Sequence, residues 1–186
     1  ALPAPLRTRR GLGRAFQLTQ LFARLTVLEN VRLAVQARRS QGHGIDLWRV
    51  WLDRREWIDE ALALLDRVKL AGQRDALAAE LPHGDQRKLE VALLIALDPK
   101  VYLFDEPTAG MSADDAPVVL DLIRSLKAGG DRTILLVEHK MDVVRELADR
   151  IVVLHQGRLV ADGDPATVMA SDRKSTRLNS SHSLPS

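Results

Sequence analysis

The sequence contains no cysteine, so a disulfide-stapled secreted module and any thiolate metal site are both excluded. It has no apolar run approaching the roughly 18 residues needed to cross a bilayer. Nor does a leader-like apolar stretch open the sequence as given. A membrane role is therefore expected to run through a partner. Basic excess is also missing where a nucleic-acid surface would need it. Of the formal +2, residues 1–17 contribute +4 and residues 173–186 contribute +3, which leaves −5 for residues 18–172. The positive charge belongs to the ends, and no nucleic-acid partner is expected. What is present is 46% apolar residues in 186, enough for the core of one globular domain or most of one.

From Lys100 onward, strand and helix signals alternate. VYLF (101–104) is a short apolar run bounded by Asp98-Pro99 and by Asp105, Glu106 and Pro107, which predicts a buried strand. A helix opens at Asp114-Asp115, carries Val118, Val119, Leu122, Ile123 and Leu126 at helical spacing, and stops at Gly129-Gly130. TILLV (133–137) predicts a second buried strand, and 140–148 a second helix with Met141, Val144 and Leu147 on one stripe. IVVLH, Gln156-Gly157 and RLVA predict a hairpin. This order implies an α/β fold with a parallel sheet. Residues 18–98 read instead as a helical block, with helices over 28–39, 56–69 and about 85–97. In the second of these, Ile58, Leu62, Leu65 and Val68 form a face; in the third, Leu89, Ala92, Leu93 and Ala96 point inward. All three tryptophans, Trp48, Trp51 and Trp57, fall at or beside the Gly-broken stretch 42–57, as interface anchors or as core. The Ser-rich stretch 173–186 has no periodicity and reads as a disordered or non-native tail.

The sharpest chemical signal is VYLFDEPTAG. Two adjacent carboxylates at a strand end lie at the carboxyl edge of a parallel sheet, where open α/β folds bind ligands. There Asp105 suits Mg²⁺, held largely through water, and Glu106 suits orienting or deprotonating an attacking water. The same pair can simply stop a strand and face solvent. His139, directly after the second strand, is placed by sheet geometry on the same edge, within reach of a terminal phosphate. Gln17 closes an extended segment before the helical block and offers a neutral oxygen to Mg²⁺. In ELPHGDQRKLEVA, Pro82 and Gly84 break the chain before a helix whose first N–H groups can face an anion, although Asp85 equally fits an ordinary helix start.

Taken together these residues resemble the nucleotide-binding subunit of ABC transporters, in that family's motif order. Gln17 resembles the Q-loop, LPHGDQRK the signature, VYLFDEP the Walker B strand, AGMSADD the D-loop and His139 the H-loop. The stretches AFQLTQLFARLTVLENVRLA, HGDQRKLEVA and VEHKMDVV look most like the ATPases of branched-chain amino acid importers, with amide or urea importers close seconds. The resemblance implies an incomplete P-loop NTPase domain with a parallel core sheet and a helical subdomain. Residues 1–17 would be a core remnant, 18–98 the helical subdomain, 99–172 the remaining core, and 173–186 the tail. It implies ATP and Mg²⁺ as cofactors, Glu106 and His139 as catalytic, and Asp105 and Gln17 at the metal. Pro82, His83, Gly84, Asp85 and Gln86, with Gln17, would contact nucleotide; the signature residues cover the ATP held by a second ABC ATPase subunit.

Further implied partners are permease subunits and, indirectly, a solute-binding protein, at the cytoplasmic face of the plasma (inner) membrane. Two departures stand out. Pro82 and His83 replace the Ser and first Gly of the common LSGGQ, removing a hydroxyl contact that His83 could replace. No G-x-x-x-x-G-K-[ST] occurs in the 186 residues, so the chain is expected to be an N-terminally truncated form, a weak ATP binder by itself. A soluble, non-transport ABC ATPase and a non-catalytic fragment are the alternatives.

Overall fold

A computed structural model describes residues 3, 10–15, 21–39 and 54–170. They fall into two compact units that divide between Val137 and Glu138.

The first unit joins a helical layer to a three-stranded sheet. Helix α1 (Val27–Arg39) buries Val27, Asn30, Val31, Ala34 and Val35, an unbroken three-four spacing that gives it one apolar stripe. Thr26 starts it, its Oγ1 accepting the Glu29 amide at 3.2 Å. Asn30 is fully buried yet satisfied: its Oδ1 accepts the Phe22 amide at 2.8 Å, and its Nδ2 donates to the Phe22 and Thr26 carbonyls at 3.1 and 2.9 Å. Helix α2 (Arg54–Arg67) packs on α1, and the buried face is Trp57, Ala61, Leu64 and Leu65, continued by Val68 just past its end. Ile58 and Leu62, expected inward, are only half-buried. Leu65 and Val68 of the expected face are buried, and Trp57, Ala61 and Leu64 fill the rest of the interior side. Between the two helices, Arg38 and Arg39 of α1 pair with Glu60 of α2.

Helix α3 (His83–Leu97) touches both layers, packing on α1 and α2 on one side and on strand β1 (Leu12–Ala15) on the other. That double duty explains why its buried set wraps most of its circumference, with Leu89, Val91, Ala92, Leu94, Ile95 and Ala96 all interior. It ends at Asp98, in the left-handed region at φ 46°, followed by Pro99. β1 can approach because Gly13 has no side chain. A Cβ there would stand 2.5 Å from Pro99 Cγ and 2.7 Å from Leu94 Cδ1.

Strand β2 (Val101–Asp105) is central, parallel to β1 and to β3 (Thr133–Val137), in the order β1-β2-β3. β3, expected to be buried, is the outer strand of the three and leaves Thr133, Leu135 and Val137 exposed among the described residues. Tyr102 and Phe104 bury one face of β2 and stack with centroids 5.9 Å apart. Helix α4 (Ala116–Ala128) links β2 to β3, burying Val118, Val119, Leu122 and Ile123 as its spacing predicts, while Leu126 at its end is only half-buried. Gly130, at φ 73°, turns the chain after it.

The second unit holds helix α5 (Met141–Leu147) and the antiparallel pair β4 (Ile151–His155) and β5 (Arg158–Gly163). Gln156 and Gly157 both have positive φ, 49° and 73°, the two-residue turn that matches strand twist. Arg150 donates to both Asp162 oxygens at 2.6 Å. A helix opens at Pro165, where Asp164 Oδ1 accepts the Thr167 amide at 3.0 Å.

Candidate active site

Strand β2 delivers Asp105 to the carboxyl edge of the sheet, and the next residue leaves the strand abruptly. Glu106 takes φ 45°, a left-handed conformation costing a non-glycine residue about 1–3 kcal/mol. Such a conformation persists only when its surroundings hold it, and here they do. The Glu106 amide donates to the Val137 carbonyl at 2.9 Å, tying the turn to the end of β3. Its carbonyl accepts the Ala109 amide at 3.0 Å, closing a tight turn through Pro107 and the buried Thr108.

The third restraint comes from α3. Arg87, 8% exposed, donates through Nη2 to the Asp105 carbonyl at 2.9 Å and to the Glu106 carbonyl at 3.1 Å. Its Nη1 donates to Glu90 Oε2 at 2.8 Å, one helical turn on. A buried guanidinium needs this carboxylate to offset its desolvation. Periodicity assigned α3 an apolar inward face and did not single out Arg87. The available signal was two cations, Arg87 and Lys88, inside the run QRKLEVALLIAL, where a solvated helix face would not place them.

The expected anion-facing segment forms a second cluster. Pro82 is extended at φ −55°, ψ 153°, and α3 begins at His83, two residues earlier than expected. Pro82 and His83 are exposed; Gly84, Asp85 and Gln86 are half-buried. The Gln86 side chain turns back to donate to the Leu81 carbonyl at 2.9 Å. Asp85 is engaged on both oxygens, by Lys88 Nζ at 2.6 Å and by Gln73 Nε2 at 2.9 Å. Lys88 also reaches Asp115 Oδ1 at 2.8 Å, and Ser112 Oγ donates to Asp115 Oδ2 at 2.7 Å. Burial alone would pull the pKa of the Lys88 ammonium down, but the hydrogen bonds it donates to Asp115 and Asp85 prevail and raise it. The Lys88 bond, then that from Ser112, lowers the pKa of Asp115.

This network joins the start of α3 to the loop after β2. A Cβ on Gly84 would meet Asp115 Oδ2 at 3.4 Å, and one on Gly110 would meet His83 Cε1 at 3.5 Å. Gly110 itself sits at φ 72°. The signature-like segment 81–86 and the D-loop-like segment 109–115, some 27 residues apart at Lys88 and Asp115, are thus one surface. The structure therefore brings together Asp105 with Glu106, and His83, Gly84 and Asp85 with Gly110 and Asp115. His139 is exposed and belongs to the second unit, just before α5. Gln17 lies outside the described residues, as do Trp48 and Trp51.

Among the described residues no group of three or more His, Asp or Glu side chains could hold a metal ion by themselves. Asp105 is a single carboxylate donor. That donor set suits Mg²⁺, which takes one or two carboxylates and completes its shell with water and phosphate oxygens.

The ABC transporter family profile matches residues 4–109. The high-affinity branched-chain amino acid transport ATP-binding protein LivG of Salmonella typhimurium is 35% identical over 170 residues, 90% of this chain and 67% of the relative. The LivG protein of Escherichia coli matches at the same identity and coverage. The octopine permease ATP-binding protein P of Rhizobium meliloti is 38% identical over 90% of this chain and 59% of its own length. The chain thus spans about three fifths to two thirds of the curated relatives it matches. In fold it is similar to a dimeric, post-hydrolysis ATP-binding cassette bound to ADP and Pi, with a TM-score of 0.72 at 24% identity, over 88% of this chain and 68% of that one. It is also similar to cbiO1 of Clostridium perfringens, with a TM-score of 0.68 at 23% identity, over 94% of this chain and 65% of that one.

Proposed function

Because this chain belongs to the ABC transporter family, we propose that Asp105 and Glu106 are the acid pair of an ATP-hydrolysing subunit that energises import of an amino-acid-type solute. The observation that carries this reading is the Glu106 backbone. A strained conformation at the carboxyl edge of a parallel sheet, restrained from three sides, is a way of aiming one carboxylate. Glu106 accepts the proton of the attacking water and orients its lone pair toward phosphorus, as phosphoryl transfer depends on positioning. Asp105 is the metal-side acid; bound there, Mg²⁺ supplies charge neutralisation at the phosphate oxygens. The family's motif order gives His139 and Gln17 roles at the terminal phosphate and the metal in this reading. A Gly-rich phosphate cradle has no counterpart in the 186 residues, so the groups here supply the water-orienting and covering parts of the site.

The surface built from Pro82, His83, Gly84, Asp85 and Gln86 beside Gly110 faces the nucleotide of a second ABC ATPase subunit. No helix among the described residues is long and apolar enough to cross a membrane. Attachment at the inner membrane then goes through permease subunits, with a solute-binding protein acting on the far side. The test is Glu106→Gln in the full-length subunit assembled with its permeases. Turnover should fall at least 100-fold while ATP binding is kept; wild-type turnover refutes the assignment.

A further inference from the structure

We infer that Arg87 is a positioning residue for Glu106: by gripping two consecutive carbonyls it sets the main-chain turn from which the Glu106 carboxylate is aimed. The inference rests on the reading of Glu106 given above. No motif that singled out the candidate site residues includes a role for Arg87.

The geometry is specific. One guanidinium nitrogen, Nη2, is shared between the Asp105 carbonyl at 2.9 Å and the Glu106 carbonyl at 3.1 Å. These two oxygens flank the φ of 45° at Glu106, so holding both fixes the torsions between them. A planar, permanently charged fork suits this task, whereas an ammonium is a point donor. The second nitrogen, Nη1, is occupied by Glu90 at 2.8 Å, and the Arg87 and Glu90 side chains are each 9% exposed. Glu90 therefore orients Arg87, and Arg87 orients the turn. On the far side the Glu106 amide is held by Val137. Without Arg87 only the Val137 and Ala109 bonds hold the turn, and they open more often as the peptide between Asp105 and Glu106 rotates out of the left-handed region. The consequence is a misaimed carboxylate with the acid itself intact. A displacement of this kind lowers the chemical rate without changing nucleotide affinity.

The test uses the full-length subunit with its permease partners and two variants. Arg87→Lys keeps the charge but cannot grip both carbonyls while pairing Glu90. The double variant Arg87→Met with Glu90→Leu replaces the buried pair by apolar side chains of similar volume, so folding survives. For both, kcat should fall about 10- to 100-fold with KM for ATP within about twofold. Amide exchange at Glu106 should accelerate about 10-fold or more while that of Val31, in α1, stays as in the wild type. In a Glu106→Gln background, Arg87→Lys should cost no further kcat, because the two residues act as one unit. An unchanged kcat, an unchanged Glu106 exchange rate, or an equal loss in the Glu106→Gln background overturns the inference. Wild-type turnover in Glu106→Gln alone overturns the catalytic reading instead, and the exchange measurement still decides whether Arg87 holds the turn.

Discussion

Replacing Lys88 by Met leaves two carboxylates facing each other with no cation between them. In the wild type the Lys88 ammonium stands 2.6 Å from Asp85 and 2.8 Å from Asp115. Its side chain is 6% exposed, that of Asp85 14%, and that of Asp115 32%. An exposed pair is worth about 0–1 kcal/mol, and breaking a buried one costs about 3–5 kcal/mol. With two walls closed and the third partly open to water, the expected loss is about 2 kcal/mol at pH 7. In urea unfolding this moves the midpoint down by about 1 M. Tryptophan fluorescence is a suitable probe, since the buried Trp57 lies in the first unit.

The pH dependence has a definite sign. Asp115 has a lowered folded pKa, so its contribution is full above the ordinary carboxylate pKa and fades as pH falls through the lowered value. Lys88 has a raised pKa, so its contribution is full below the ordinary lysine value and is lost as pH climbs through the raised one. The gap between wild type and Lys88→Met should be flat from about pH 5 to 9 and shrink at both extremes. A gap below about 0.5 kcal/mol at pH 7, or one that does not shrink as the carboxylates become protonated in acid, refutes the reasoning.

Gly13→Ala should destabilise the first unit by about 1–3 kcal/mol in a thermal or urea melt, because the new methyl meets the Pro99 ring, which cannot rotate away. A neutral effect means that β1 and α3 are not in close contact. Tyr102 should titrate near 12 in the folded protein, followed by ultraviolet absorbance, since burial and then the Asp98 charge both disfavour the phenolate. The unfolded chain ionises first as pH rises, so this residue's stabilisation is present below about pH 10 and lost as pH passes 12. Titration of the folded protein at the ordinary tyrosine value contradicts the buried β2 face.

The elements that were legible in the sequence are those whose physics is local. A three-four spacing of apolar residues names a helix whatever surrounds it, as Val118, Val119, Leu122 and Ile123 show. Gln156-Gly157 named its turn because two positive φ values in succession suit few residue pairs. The acid pair was legible for a similar reason: two carboxylates closing an apolar strand are conspicuous without any partner. On α2 the spacing found only half of the face: Leu65 and Val68 are buried as expected, but Trp57, Ala61 and Leu64 take the interior places expected of Ile58 and Leu62.

The sequence by itself thus determined the alternation of elements, the place of Asp105 and Glu106 at a strand end, and the family resemblance. Tertiary structure alone decided what holds them. Arg87 reaches carbonyls 18 and 19 residues away, and Lys88 reaches Asp115 across 27. A charged residue on a helix can equally point into water, and its spacing from neighbours on that helix does not say which. Only the packing of α3 against both layers closed off the solvent, and a buried cation must then find the carbonyls and carboxylates that the fold puts beside it.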